Sequence, residues 1–161
     1  MSHRRAALLI AALVFLADAL TKLLVRSHVS VAETITVIPG CFNIVHTRNP
    51  GAAFSLLAAP EPGWRTQLLL VLSLAAVAVV AGLLWRTPDS EKLLHGGLAL
   101  ILGGALGNLY DRVRYGEVTD FLELYLGRFR WPAFNLADTA ITAGALLVVL
   151  QLWRSHECGR N

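Results

Sequence analysis

Two aspartates, Asp120 and Asp138, could share one water molecule. They lie 18 residues apart, joined by FLELYLGRFRWPAFNLA, a connection long enough to fold back and bring the two carboxyls together. In a poorly hydrated site such a pair cannot easily ionise twice, so one pKa rises and the two groups share a proton. One carboxylate then serves as base to a water and the other as acid. This is the chemistry of aspartic peptide hydrolysis, and it needs no covalent intermediate. Taken singly, Asp120 in EVTDFLEL reads as a loop or cap aspartate, and Asp138 as the cap of the apolar stretch that follows it.

Further polar residues recur at helical spacing inside apolar surroundings. Asn135 and Asp138 stand at i and i+3, with Thr142 one turn on, so all three face one way. A carboxylate at the centre of a membrane helix costs about 2.5–3.5 kcal/mol, so Asp138 calls for a partner. Asn108, Asp111 and Arg112 share a second face in GGALGNLYDR, where they form a candidate site wall. Gly103 and Gly107 in the same stretch make a small-residue face that admits a close neighbouring helix. Asp18 and Lys22 are four apart and can pair on one helix face.

Other chemistries find less support. No HExxH, G-x-S-x-G or Walker loop occurs. Ser55 and Ser73 lack an obvious base. The five histidines, His3, His28, His46, His95 and His156, show no ligand spacing, and no metal or other cofactor is expected. Cys41 and Cys158 fall in different extramembrane segments without a CxxC, so both are expected to be free thiols without a catalytic role.

The elements that must carry these residues are apolar. The chain is 161 residues long, 55% hydrophobic and only 16% charged, against about 25% charge in ordinary soluble domains. The net charge of +3 is modest, and no basic run is dense enough for nucleic acid. The apolar residues gather into four blocks, at about 6–25, 64–85, 93–110 and 133–153, each near the roughly 20 residues that a bilayer requires. The basic start and apolar middle of MSHRRAALLIAALVFLADALTK resemble a cleavable signal peptide. Asp18 and Lys22 stand where small residues should precede a cut, so a retained first span is expected.

Between the spans, segments 26–63 and 111–132 are polar. ETITVIPGCFNIVHT is rich in β-branched residues around a Pro-Gly turn and favours short strands. EVTDFLEL fits either an extended segment or a short interfacial helix. APEPGW marks the entry to the second span, whose tryptophans Trp64 and Trp85 suit an aromatic belt. Ser90 is a candidate cap for a helix beginning near Glu91. The fourth helix is expected to begin near Ala133, with Asp138 inside it.

Four spans put both termini on one side, and the basic flank HRR argues that this side is cytoplasmic. The raw count does not satisfy the positive-inside rule. Arg4, Arg5, Arg86, Lys92, Arg154 and Arg160 stand against Arg26, Arg48, Arg65, Arg112, Arg114, Arg128 and Arg130. No internal repeat stands out, and residues 1–161 are expected to form one integral-membrane domain.

Several motifs in order resemble bacterial lipoprotein signal peptidases, the type II signal peptidases. They are DALTK at Asp18–Lys22, NPGAAF at Asn49–Phe54, GGALGNLYDR at Gly103–Arg112, VTDF at Val118–Phe121 and FNLADTAI at Phe134–Ile141. Ala19 departs from the glutamine that many relatives carry after the first aspartate.

The resemblance implies a mainly α, polytopic membrane protein with four transmembrane helices, a small extramembrane β-sheet cradle and a short periplasmic helix or loop. It implies that Asp120 and Asp138 are the catalytic pair and ranks Asp111 as a supporting residue. It gives Asp18, Lys22, Asn49, Gly51, Asn108, Asp111, Arg112 and Asn135 roles in substrate binding and in support of the pair. It implies a monomeric enzyme of the bacterial inner membrane, with both termini cytoplasmic and the site near the periplasmic face. The segment around Asp120 would be a mobile element over the substrate. The substrate would be a diacylglyceryl-modified prolipoprotein, cut just before the lipidated cysteine, and the enzyme would contact membrane phospholipid and be inhibited by globomycin.

Two other classes fit the residues alone. A small proton-coupled transporter would use Asp18, Asp111 and Asp138 as relay sites. A noncatalytic assembly protein would use the Gly103–Gly107 face.

Overall fold

The computed structural model describes residues 2–51 and 63–158. Ala52, Ala53 and Phe54 of the NPGAAF motif, Ser55 and most of the APEPGW boundary lie outside the described residues.

The four apolar blocks fold as helices α1 (His3–His28), α2 (Gly63–Arg86), α3 (Lys92–Tyr115) and α4 (Leu136–Cys158). All four are long and apolar enough to cross a membrane. A helix satisfies its own backbone hydrogen bonds, which the bilayer interior requires. Large apolar side chains such as Leu13, Leu16 and Leu20 on α1, Val71 and Val79 on α2, and Leu146, Val149 and Leu152 on α4 are exposed. In water these would form an aggregation-prone surface; against lipid they form the outer face of a membrane protein.

Helix α3 packs against α1, α2 and α4 and has the lowest mean hydropathy of the four spans. The two facts have one cause. A central helix meets protein rather than lipid, and can carry small and polar residues on its buried faces. Ala7, Ala11, Leu84, Leu98, Ala99 and Leu102 form the apolar core of this packing. A Cβ on Gly103 would stand 2.6 Å from the carbonyl oxygen of Ala11 on α1. One on Gly104 would stand 2.5 Å from that of Ala137 on α4. Both distances are too short for a side chain, so the glycines set how closely the helices meet. The Gly103–Gly107 face is therefore covered by α1 of the same chain.

At one end of the bundle sits a four-stranded antiparallel sheet in the order β1 (Thr34–Ile38), β2 (Phe42–Asn49), β3 (Val118–Leu126) and β4 (Phe129–Arg130). The reading of ETITVIPGCFNIVHT as short strands holds, with β2 running two residues past it to Asn49. The stretch from Val118 is extended, and it begins only after α3 has run on to Tyr115. Gly116, with φ +76°, ends α3 in a left-handed cap, and its N–H donates to the Arg112 carbonyl. The expected end of the third span near Tyr110 falls short because Asp111 and Arg112 face protein and do not stop the helix.

Two helix starts also differ from expectation. Helix α3 begins at Lys92, with Glu91 at its cap position and no side-chain cap bond, so Ser90 does not cap it. Helix α4 begins at Leu136, because the preceding residues pair with β3. The N–H of Phe134 donates to the Leu122 carbonyl at 3.0 Å. The Phe134 carbonyl accepts from Phe121 and Leu122 at 2.9 and 2.8 Å. This stitch returns the chain from the β3–β4 hairpin and delivers Asn135 beside Asp120.

Candidate active site

Asn135 occupies the cap position of α4, and Asp138 the third helical position. The Asn135 side-chain oxygen accepts from the Asp138 N–H at 2.9 Å, while Asp138 Oδ2 accepts from the Asn135 N–H at 3.3 Å. This is a reciprocal capping box, built from Asn and Asp. Asp18 of α1 adds a third cap bond, its Oδ1 accepting from the Ala137 N–H at 2.9 Å. Each bond satisfies an N–H that the helix itself leaves unpaired. Asp138 is half-buried and lies at the end of α4 where a negative charge is favoured.

Capping leaves the Asn135 amide nitrogen free for another partner. It donates to Asp120 Oδ1 at 2.8 Å. Asn49 repeats the device from β2. Its oxygen accepts from the Gly51 N–H at 2.8 Å, and its nitrogen donates to Asp120 Oδ2 at 2.8 Å. Each asparagine is anchored to local backbone through its oxygen and aims its nitrogen at one oxygen of Asp120. Asp120 is only 2% exposed. Its carboxyl is raised to about 6: burial pushes it up, the Asn49 donor pulls it back, and the charge of Asp138 raises it again.

The other sequence-predicted residues sit behind this pair. Asn108 donates to Asp138 Oδ1 at 2.8 Å and accepts from Lys22 Nζ at 3.0 Å. Lys22, fully buried, pairs with Asp18 at 2.7 Å and with Asp111 at 3.3 Å. Asp111 also accepts from Arg26 at 2.7 Å and from the Thr119 N–H at 3.1 Å, which ties the start of β3 to α1 and α3. Arg112 is half-buried, donates to the Asn108 carbonyl at 3.3 Å, and lies within reach of the charges of Asp138, Asp120 and Asp111. Thr142 donates to the Asp138 carbonyl at 2.8 Å.

Asp120, Asp138, Asp18, Lys22, Asn49, Gly51, Asn108, Asp111, Arg112 and Asn135 thus belong to one connected cluster. Asp111 stays one layer back, bound by Lys22 and Arg26, and connects to the aspartate pair through Lys22 and Asn108 and through Thr119. Sequence reasoning missed Arg26 and Thr119. Arg26 stands four residues after Lys22 and eight after Asp18, a helical spacing that could have revealed it. Thr119 carries no such signal.

Asp138 also lines a cleft of about 710 Å³ between α4 and the β3–β4 hairpin. Its walls are mainly apolar, with Leu124, Trp131, Phe134 and Leu146 among them and the hydroxyls of Thr139 and Thr142 near the aspartate.

Comparison with known proteins agrees in sequence and in shape. Residues 10–154 match the family model described as Signal peptidase (SPase) II. The lipoprotein signal peptidase of Solibacter usitatus (strain Ellin6076) is 48% identical over 152 residues, covering 94% of this chain and 93% of its own. That of Syntrophus aciditrophicus (strain SB) is 46% identical over 145 residues, with 90% of each chain covered. A solved bacterial membrane enzyme, determined at 2.3 Å by the in meso method, superposes with a TM-score of 0.82 at 27% identity. That match covers 94% of this chain and 89% of the other.

Proposed function

The chain belongs to the signal peptidase II family, and on that premise we propose that it removes signal peptides from lipidated prolipoproteins by aspartate-activated water. The observation that carries this reading is the double use of Asn135, which binds Asp120 through its side chain and Asp138 through its backbone N–H.

The two carboxyls have different surroundings, which suit them to different tasks. Asp120 is buried between two amide donors with its pKa raised, and holds the proton. Asp138 faces the cleft at a helix N-terminus and is the base. The charges agree. Asp18, Asp111, Asp120 and Asp138 stand against Lys22, Arg26 and Arg112, and a single proton on the aspartate pair balances the cluster. Asp138 takes a proton from water as the oxygen attacks the scissile carbonyl. Asp120 donates its proton toward that carbonyl oxygen. The tetrahedral intermediate then collapses: one hydroxyl returns its proton to Asp120 as the C–N bond breaks, and the leaving amine takes up the proton that Asp138 received.

The apolar cleft would hold the hydrophobic signal segment of the substrate, with the scissile bond at Asp138 and the lipidated cysteine on its far side. Gly51 and Asn49 position Asp120, while Asn108 and Asn135 fix Asp138. Lys22, Asp18 and Asp111 hold α1, α3 and α4 together behind the pair, and Arg112 is placed to orient substrate. The whole chain acts as one monomeric peptidase domain in the bacterial inner membrane, surrounded by phospholipid, with its sheet end periplasmic and both termini cytoplasmic. Globomycin-type peptides would compete for the cleft.

The test is cleavage of a diacylglyceryl-modified precursor by the purified protein, beside the same precursor without the lipid. Cleavage of the lipidated form just before its modified cysteine, blocked by globomycin, is expected. Equal cleavage of both forms would overturn the substrate assignment.

A further inference from the structure

A second pocket, of about 280 Å³, opens on the opposite face of the sheet from the aspartates. In the β2–β3 ladder Thr47 pairs with Asp120, and Arg48 with Thr119. Side chains alternate along a strand, so Arg48 and Thr119 point away from the side that carries Asn49 and Asp120. Arg26, His46, Arg48, Tyr115, Glu117 and Thr119 line the pocket. Arg26 lies in the last turn of α1, and Tyr115 is the last residue of α3. The pocket therefore sits where two spans leave the membrane, the level at which headgroups lie.

We propose that this pocket holds the phosphoethanolamine headgroup of a membrane phospholipid. Its charges are mixed, and the mixture suits a zwitterion. Arg48 is 58% exposed along its side chain and pairs with Glu117 through Nε at 3.4 Å; its terminal nitrogens are the donors for a phosphate. Arg26 is held by Asp111 and by the Thr119 hydroxyl, with its guanidinium 3.7 Å from the centre of the Tyr115 ring. It adds a second positive charge to the wall.

The acceptors for an ammonium lie alongside. His46 is 5% exposed and its Nδ1 stands 2.7 Å from the Val29 carbonyl. A carbonyl only accepts, so Nδ1 carries the hydrogen of this bond. The Glu117 carboxylate oxygens can take hydrogen bonds from a primary ammonium. A quaternary ammonium has no N–H to give them, and a glycerol headgroup brings no charge to meet Glu117.

A path for the acyl chains leads from the same place. The Tyr115 ring packs edge-on against Tyr110 at 6.4 Å, and Tyr110 against Phe15 at 6.0 Å. Tyr110, Tyr115 and neighbouring Val113 are exposed. This aromatic ladder runs from the pocket down the membrane-facing side of α1 and α3. A bound headgroup also meets Arg26, which leads through Asp111 and Lys22 to Asn108 and Asp138.

Native mass spectrometry of the delipidated full chain tests the assignment without reference to peptidase activity. The protein is titrated with phosphatidylethanolamine, phosphatidylcholine and phosphatidylglycerol of identical acyl chains. Phosphatidylethanolamine is expected to bind at least about tenfold more tightly than the other two. Glu117→Gln should erase its advantage over phosphatidylglycerol, and Arg48→Ala should weaken all three. Soluble phosphoethanolamine should displace it, and inorganic phosphate should not. Equal binding of the three lipids by the wild type, a preference for phosphatidylglycerol, or displacement by phosphate as effective as by phosphoethanolamine would each overturn the proposal.

Discussion

The proposed chemistry turns on how differently two aspartates are surrounded. Asp120 is enclosed by the sheet and two asparagines, and its carboxyl is raised to about 6. A raised carboxyl pKa means that ionisation is harder in the folded state. The corresponding stability is complete below the unfolded value near 4 and is lost as the pH rises through about 6. At 1.36 kcal/mol per pK unit the effect is at most about 3 kcal/mol. Unfolding measurements on the wild type and Asp120→Asn should therefore show their difference moving in the wild type's favour as the pH falls from about 8 to about 4. A difference independent of pH would mean that Asp120 titrates normally. The pairing of Asp120 with Asp138 was legible as a possibility from the connection between them. What sequence could not supply was the pair of amides that separates their roles, since Asn49 lies 71 residues from Asp120.

At the scale of elements, one residue joins the start of α4 to β3. Asn135 caps the helix with its oxygen and holds Asp120 with its nitrogen, and substitutions can separate these duties. Asn135→Ala should lose about 1 kcal/mol of stability, the usual value of a cap, together with much of the activity. Asn135→Ser keeps a capping oxygen but has no amide to offer Asp120, so it should unfold at a higher temperature than Asn135→Ala and still be poorly active. Full activity in the serine variant would show that the contact with Asp120 is dispensable. The four spans were readable from apolar block length, but their ends were not. Asp111 and Arg112 lay beyond the expected end of the third span near Tyr110, yet both are helical, and Asp111 finds its partners on α1 and β3. Ala133 and Phe134 were expected to open the fourth helix, yet Phe134 bridges to Leu122 of β3. In both places tertiary partners overrode the local pattern.

Across the whole molecule, a buried ionic layer made by Asp18, Lys22, Asp111 and Arg26 binds three helices and the sheet. Losing one partner of such a layer strands a buried charge, which costs about 3–5 kcal/mol, so these residues position the pair before they do anything else. The sheet end carries Cys41, free and exposed, whereas Cys158 closes α4 at the other end of the bundle. In intact cells a membrane-impermeant maleimide should label a variant that retains only Cys41 and spare one that retains only Cys158. The reverse pattern would put the aspartates on the cytoplasmic side. The central claim is that Asp120 and Asp138 together activate water, and single-turnover cleavage of a lipidated precursor by purified, folded Asp120→Asn and Asp138→Asn enzymes tests it most directly. Each substitution should slow cleavage by at least about 100-fold, the lower end of what general acid–base catalysis contributes, while leaving precursor binding measurable. Cleavage by either variant within a few-fold of wild type would contradict the account.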